Sequence, residues 1–339
     1  MFYLEYICMW YRIARNKLPK VLFAQLDANL WDISEKDLEP IKKLSDLTVL
    51  NLKSMTENQL ADNCKDFDYL MLNMDFLPSY PNKMEKLTEK FYNNPNIKNL
   101  KLINVDMTDA DFFSPEICKQ KNIFLQTCPN AVTNSVSEST VTEILLHARN
   151  RHLAYQDLID GKDQECRKSI DLTGKTAGII GYGNIGKKVA KALKALGMKV
   201  LIHDLENSTA SLEEIFKQSK VISIHIPAIK NNKDNTSNIN LIDKKLLQLC
   251  NETILINLAT DIIVDTEDLV DAIKSKKIIG YSVEPGRKIT EKLEKYPEVH
   301  ISPCSYDSDE SRANVKNIWI ENMVSALKGN PKNIWVGTK

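Results

Sequence analysis

The stretch Thr176–Leu205, TAGIIGYGNIGKKVAKALKALGMKVLIHDL, limits the fold more than any other part of the chain. A β-rich run, TAGII, breaks at Gly181; an amphipathic helical run follows and leads to a second β-rich run ending at Asp204. Strand, glycine turn, helix and strand in this order make a βαβ unit, which requires a parallel sheet and a crossover helix. Gly181 permits the tight turn, Gly183 lets the backbone approach a pyrophosphate, and Gly186 allows close packing of helix on strand. The amides and dipole at the helix start favour phosphate charge. Asp204 stands 18 residues past Gly186, where a carboxylate accepts hydrogen bonds from both adenosine ribose hydroxyls and repels a 2′-phosphate. The other use of such an aspartate is to cap a following helix. The glycine context favours the first use, and NAD over NADP.

The same alternation runs through the rest of the chain. From Val21 onwards KVLFAQL, LTVLNL, DYLMLNM, IKNLKLINV and NIFLQT read as strands separated by helix-length intervals. A long helix is expected near PNAVTNSVSESTVTEILLHARNRHLAYQDLI, capped by Asn134 or Ser135 with Glu138 in its first turn, leading from one domain into the next. A second series follows, with TAGIIG, MKVLIHDL, VISIHIP, TILINLA, IIGYSV and VHISP as strands of a doubly wound sheet. The last amphipathic stretch, ESRANVKNIWIENMVSALKGN, is expected to be one helix ending at Gly329 and returning to the first domain. A length of 339 residues suits two such domains.

With 45 basic and 45 acidic residues the net charge is zero, so no global field steers the chain to nucleic acid or an anionic membrane. Seven cysteines form no CxxC pair and no zinc-type Cys/His spacing, so no metal is expected, and an odd number cannot pair fully within the chain. Free thiols point to a reducing, cytoplasmic compartment. The aromatic first segment, MFYLEYICMWYRIARNKLPK, is interrupted by Glu5 and closed by Arg12 and Arg15, which fits neither a secretory signal nor a membrane span. Residues 1–19 therefore read as an N-terminal extension, packed on the surface or binding a partner.

Several runs together resemble the D-isomer-specific 2-hydroxyacid dehydrogenase family, which includes phosphoglycerate, glycerate and formate dehydrogenases. They are DLTGKTAGIIGYGNIGKKVAKALKALGMKVLIHD, SLEEIFKQSKVISIHIP, NLIDKKLLQLCNETILINLATDIIVDTEDLVDAIKSKKIIGYSV and VHISPCSYDSDES, with a weaker echo in NVDMTDADFFSPEICKQKNIFLQTCPNAVTNSVSE. The resemblance implies an α/β architecture of two Rossmann-like doubly wound lobes. A flavodoxin-like substrate lobe would comprise 20–138 and 312–337, and an NAD-binding lobe 139–311, with nicotinamide and substrate in the cleft between them. It also implies a homodimer paired through the nucleotide lobe and the connecting helix. Cofactor contacts are implied for Tyr182, Asn184 and Ile185 in the glycine loop, and for His225, Ile226, Pro227, Leu258, Ala259 and Thr260 at strand ends.

That family's chemistry uses an arginine to bind the substrate carboxylate, a histidine to move the proton on the C2 oxygen, and a glutamate that raises the histidine pKa. The arginine position is Thr260, followed by Asp261 in place of a glycine, and the histidine position is Cys304. Glu284 in IIGYSVEPG matches the family glutamate by its proline, or a nicotinamide-contacting aspartate by its distance from Gly280. Threonine cannot form arginine's bidentate pair with a carboxylate, and Asp261 repels an anionic keto acid. A cysteine is a poor general acid near neutral pH. Cys304 reads either as a nucleophilic or redox-sensitive thiol, or as a small residue left where a catalytic group has no task.

Among neighbours, Arg287 reads as a solvated loop residue, His300 as packed beside the sheet, and His225 as structural. His147 and His152 lie on the connecting helix, one of them a satisfied surface or interface residue by default; Tyr306 and Asp307 sit on the loop after Cys304. Three functions are consistent with this pattern. The first is an NAD-dependent oxidoreductase for a non-standard substrate that is larger, neutral or cationic. The second is an inactive NAD-binding regulatory module, and the third is ordinary 2-hydroxyacid turnover by displaced residues.

Overall fold

A computed structural model describes residues 18–26, 32–52, 56–73, 87–108, 110, 113–162, 169–229, 237–284 and 291–335. The expectations for the first 17 residues and for Arg287 lie outside the described residues. The chain divides into two compact units, residues 1–132 with 309–339, and residues 133–308.

Unit 1 is a parallel sheet of β1 (Lys20–Leu26), β2 (Asp46–Leu52), β3 (Tyr69–Leu72), β4 (Leu102–Val105) and β5 (Phe124–Gln126), in the order β2-β1-β3-β4-β5. Its short helices are α1 (Glu35–Lys42), α2 (Glu57–Asn63), α3 (Glu89–Tyr92) and α4 (Pro115–Gln120). Capping boxes start two of them: Ser34 with Asp37 at α1, and Thr56 with Gln59 at α2. Strand residues alternate between two apolar layers, so Leu22 and Ala24 pack with Leu60 and Phe91, while Val21 and Phe23 pack with Ile41 and Trp319. Burial on both faces is why these strands read as continuous apolar runs.

The last helix, Asp309–Leu327, belongs to unit 1 and ends two residues before the expected Gly329, whose φ of 77° suits the turn that follows a helix. Trp319 anchors it: the ring meets Phe23 edge-on at 5.1 Å, its Nε1–H donates to Asn104 O at 3.0 Å, and Asn104 Nδ2 donates back to Trp319 O at 2.8 Å. Truncating so buried a tryptophan to alanine costs about 3–5 kcal/mol.

Unit 2 is a six-stranded parallel sheet of β6 (Thr176–Ile180), β7 (Lys199–His203), β8 (Val221–Ile224), β9 (Thr253–Asn257), β10 (Ile278–Val283) and β11 (Val299–Ile301). Its order is β11-β10-β9-β8-β6-β7, and the direction of winding reverses between β6 and β8. In such sheets ligands bind beyond the carboxyl ends of the strands at that switch point. The helices are α5 (Thr133–Arg149), α6 (Arg151–Ile159), α7 (Asn184–Ala195), α8 (Leu212–Gln218), α9 (Lys244–Leu249) and α10 (Thr266–Lys274).

Two expectations shift. Helix α5 begins at Thr133, so Asn134 and Ser135 lie in its first turn rather than capping it, and Ser135 Oγ instead meets Ser308 Oγ at 2.9 Å. The unit boundary accordingly falls at 132/133, whereas 138/139 lies within the continuous helix.

Candidate functional site

The turn after β6 is built by backbone constraints. Gly181 has φ 91°, and a Cβ on it would lie 2.6 Å from His225 O, so neither its conformation nor its surroundings admit a side chain. Gly186 sits against the same turn, where a Cβ would come within 2.1 Å of Gly181 O. Gly183, immediately before α7, has nothing within 4 Å of its Cβ position. Two glycines are thus required by the protein's own packing. The third leaves open room at a helix N-terminus, as a cradle for phosphate requires.

Asp204 follows β7. Its Oδ2 accepts the Tyr182 amide at 2.8 Å and its Oδ1 accepts the Glu206 amide at 3.1 Å. The Tyr182 amide, then that of Glu206, hold the carboxyl below its ordinary value, so it is ionised at neutral pH. The Asn207 side chain and amide also reach the carboxylate, and its fixed negative charge opposes a 2′-phosphate. Nearby, His225 Nε2 meets Ser223 Oγ at 2.9 Å, and burial pulls this imidazole down to about 4. It is a neutral group beside the turn. Ile226 and Pro227 continue from it, with Pro227 O accepting Asn238 Nδ2 at 2.8 Å.

The other candidate positions sit at the ends of β9, β10 and β11. Asn257 closes β9: its Oδ1 accepts the amides of Ala259 and Thr260 at 3.3 Å, and its Nδ2 donates to Thr260 O at 2.7 Å. Leu258 is buried, while Thr260 is half-buried and starts a 3₁₀ turn, Asp261–Ile263, without capping it. Glu284 follows β10 directly, its amide reaching Asn257 O at 3.4 Å. Its carboxylate accepts the Ser305 hydroxyl, and burial pushes the group above its ordinary value against the opposing hydroxyl and amide of Ser305. Cys304 is exposed, unpaired and left-handed, with φ 57°. Thr260, Glu284 and the residue beside Cys304 are thus joined through Asn257 and Ser305.

Helix α5 fixes the loop after β11. Ser139 Oγ donates to Ser305 O at 2.9 Å, and an open hollow of about 230 Å³ lies between helix and loop, lined by Glu138, Glu143, Asp307 and several serines. Behind it lies a network that sequence reasoning missed. Glu143 Oε2 accepts Ser282 Oγ and His300 Nδ1, both at 2.7 Å, and Ser282 Oγ meets His147 Nε2 at 2.8 Å. Ser282's one proton goes to Glu143, so His147 donates Nε2–H. Burial holds His147 down to about 3, with the neighbouring His152 adding to the effect. The hydrogen bond to Glu143 raises His300. Burial pushes Glu143 up, but the His300 and Ser282 donors outweigh it and the carboxyl stays below its ordinary value. His147 is thus a buried, bonded residue, and His300 is hydrogen-bonded to Glu143 as well as packed beside the sheet. The available signal was Glu143 and His147, four residues apart on the same helix face as Ile144 and Ala148.

The model of the D-isomer specific 2-hydroxyacid dehydrogenase NAD binding domain matches residues 141–303. A hydroxypyruvate reductase of Blautia hydrogenotrophica is 27% identical over 91% of this chain and 98% of its own length. The chain belongs to the D-isomer-specific 2-hydroxyacid dehydrogenase family. A second relative from that family, the hydroxypyruvate reductase of Thermotoga maritima, is 31% identical over 56% of this chain and 64% of its length. In fold, the chain matches a glyoxylate reductase from Paecilomyes thermophila with TM-score 0.80 at 19% identity, over 94% of this chain and 98% of that one. It also matches an acyclic imino acid reductase solved with NADPH and D-Arg, with TM-score 0.78 at 21% identity over 94% and 100%. The family's cofactor is NAD, and the open place at Gly183 and the ionised Asp204 fit it.

Proposed function

We propose that this chain is an NAD(H)-dependent oxidoreductase acting on a carbonyl or hydroxyl group whose neighbour is not the carboxylate of an ordinary 2-hydroxy acid. The carrying observation is what the three strand ends present: Thr260 and Asp261 after β9, Glu284 after β10 and Cys304 after β11. A threonine beside an aspartate gives a carboxylate no bidentate partner and a repelling neighbour. A neutral or cationic substrate suits Asp261 and Glu284 better. Bound reduced nicotinamide supplies a hydride. The amides of Tyr182 to Gly186 hold the pyrophosphate, Asp204 holds the adenosine ribose, and His225, Ile226, Pro227, Leu258, Ala259 and Thr260 flank the cofactor along the strand ends.

The test is a titration with NADH and NADPH followed by fluorescence transfer to the nicotinamide, then a screen of carbonyl compounds with and without a carboxylate. Micromolar NADH binding, weaker NADPH binding and turnover confined to carboxylate-free compounds support the reading. NADH binding without turnover of any compound favours a regulatory module, and brisk reduction of simple 2-keto acids favours ordinary family chemistry. Introducing Thr260→Arg with Cys304→His is expected to create 2-keto acid reduction that the parent lacks.

The reading extends to assembly and place. Helix α6 buries none of its side chains, and exposes Tyr155 (65%), Leu158 (54%) and Ile159 (62%), an apolar face suited to a second copy of the chain. Cys64, Cys118, Cys128, Cys250 and Cys304 are free thiols, which supports a cytoplasmic setting. Among the described residues no helix is long and apolar enough to cross a membrane.

A further inference from the structure

We propose that the substrate's proton comes from the Glu284 carboxyl, held in place at the end of β10 by the hydroxyl and amide of Ser305. The inference rests on the oxidoreductase reading and names the acid which that reading leaves unassigned.

Reduction of a carbonyl needs one proton on oxygen for each hydride on carbon. Cys304 stands where the family places its proton-moving imidazole, on an exposed left-handed turn. The adjoining Ser305 is buried and turns inward, and both its polar groups meet Glu284. The loop cannot drift from this position, because Ser139 Oγ holds Ser305 O at 2.9 Å and the Asp307 amide closes the turn onto Cys304 O at 3.0 Å. From the β9 side, Asn257 O receives the Glu284 amide. The carboxyl is thus held by the two Ser305 donors, and its backbone by Asn257, at the carboxyl end of the sheet.

Two opposing influences act on this group. Burial favours the protonated acid, which stores the proton before reaction, whereas the Ser305 donors favour the carboxylate that remains afterwards. Donors aimed at a charge that develops during reaction lower the barrier rather than tighten ground-state binding. Among the described residues Ser305 is the one whose groups oppose burial at Glu284. In the step, the carboxyl O–H bond breaks and a new O–H bond forms on the substrate oxygen. The carboxylate keeps the electron pair, the reduced dinucleotide is the reductant, and solvent returns the proton. Glu284 is the acid and Ser305 a positioning residue.

The full-length chain carrying ¹³C-labelled glutamate reports the Glu284 carboxyl by NMR, assigned by its loss in Glu284→Gln, with NADH bound and without it. The expected result is a midpoint above the ordinary carboxylate range, moving higher in Ser305→Ala, which loses a donor to the charged form, and returning in Ser305→Thr. In the carbonyl assay, Glu284→Gln is expected to lose about 100-fold or more in kcat. Ser305→Ala should lose about tenfold in kcat with little change in KM, and its pH–rate limb should move in the same direction as the NMR midpoint. NADH titration of each variant checks that the lobe still folds. A midpoint in the ordinary range, or one indifferent to Ser305, overturns the proposal whatever the activity. Full turnover by Glu284→Gln overturns it as well. A raised, Ser305-dependent midpoint with no substrate found overturns the oxidoreductase reading and with it the acid role of Glu284, while the Ser305 contact itself stands.

Discussion

The two ends of unit 2 differ in how firmly sequence fixes them. At the phosphate turn the requirement falls on the backbone: Gly181 and Gly186 have no room for a Cβ, and only an ionised carboxylate at Asp204 suits a ribose. At the ends of β9, β10 and β11 stand Thr260, Glu284 and Cys304, which we read as places where the reacting side chains have changed on a persisting backbone frame. A binding loop whose glycines also pack the fold cannot change without loss of stability. A reacting group that only touches substrate can.

The sharpest way to break this contrast is at the glycines. In Gly186→Ala the new methyl meets the Gly181 carbonyl at 2.1 Å, and backbone must move. The expected cost is about 3 kcal/mol of stability with a more than 100-fold loss of NADH affinity. Gly183→Ala has open space at the same atom. It should leave stability within about 0.5 kcal/mol and weaken only NADH binding, by roughly tenfold. Urea unfolding and NADH titration on both variants decide the matter; equal stability losses would show that the turn is not set by packing.

The next effect, of about 2 kcal/mol, belongs to the network at the other end. His147 is held down to about 3 against an ordinary 6.5, so below pH 6.5 the unfolded chain binds a proton that the folded chain refuses. Stability therefore falls as pH drops from 6.5, by up to about 1.4 kcal/mol per unit. His300 acts in the opposite sense, since its pKa is raised: its contribution is complete below 6.5 and disappears as pH rises through the folded value. Glu143, being lowered, contributes above 4.5 and is lost as pH falls through its folded value. In unfolding compared at pH 7 and pH 5, His147→Gln should keep the donor to Ser282 and lose most of the acid-side decline. An unchanged slope would place the acid sensitivity elsewhere.

How far each part was legible follows from the same physics. The strands and the βαβ series were readable because burial on both faces makes each strand a continuous apolar run. The glycines were readable because no other residue satisfies φ 91° at Gly181 or the contact at Gly186. The start of α5 was misplaced, because the Asn134 and Ser135 side chains suit a cap and only tertiary contact sends Ser135 to Ser308. Glu143, Ser282 and His300 were invisible as a set, since a helix and two strands far apart in sequence bring them together. Ser305 was passed over because nothing local marks a serine that bonds a carboxylate 21 residues away.

A smaller effect, of about tenfold, tests Asp204. Replacing it with asparagine keeps one acceptor but removes the charge that opposes a 2′-phosphate. The ratio of NADH to NADPH affinity should fall by about a factor of ten, or 1.4 kcal/mol, while the Tyr182 contact survives. A ratio that does not move would assign the preference to another residue.

The smallest effect is at Cys304, and it asks whether the changed end of the unit retains any demand on its side chain. A non-glycine residue in the left-handed region costs about 1–2 kcal/mol, and glycine relieves it while making the unfolded chain more flexible by about half that amount. Cys304 is exposed, so its thiol offers little packing in return. Cys304→Gly should therefore raise stability by up to about 1 kcal/mol and leave NADH affinity unchanged, because the phosphate turn lies on β6 and Asp204 follows β7. If stability falls instead, the cysteine side chain makes contacts that the loop needs, and the contrast between a packing-bound turn and a free strand end fails at the place where it is drawn most strongly.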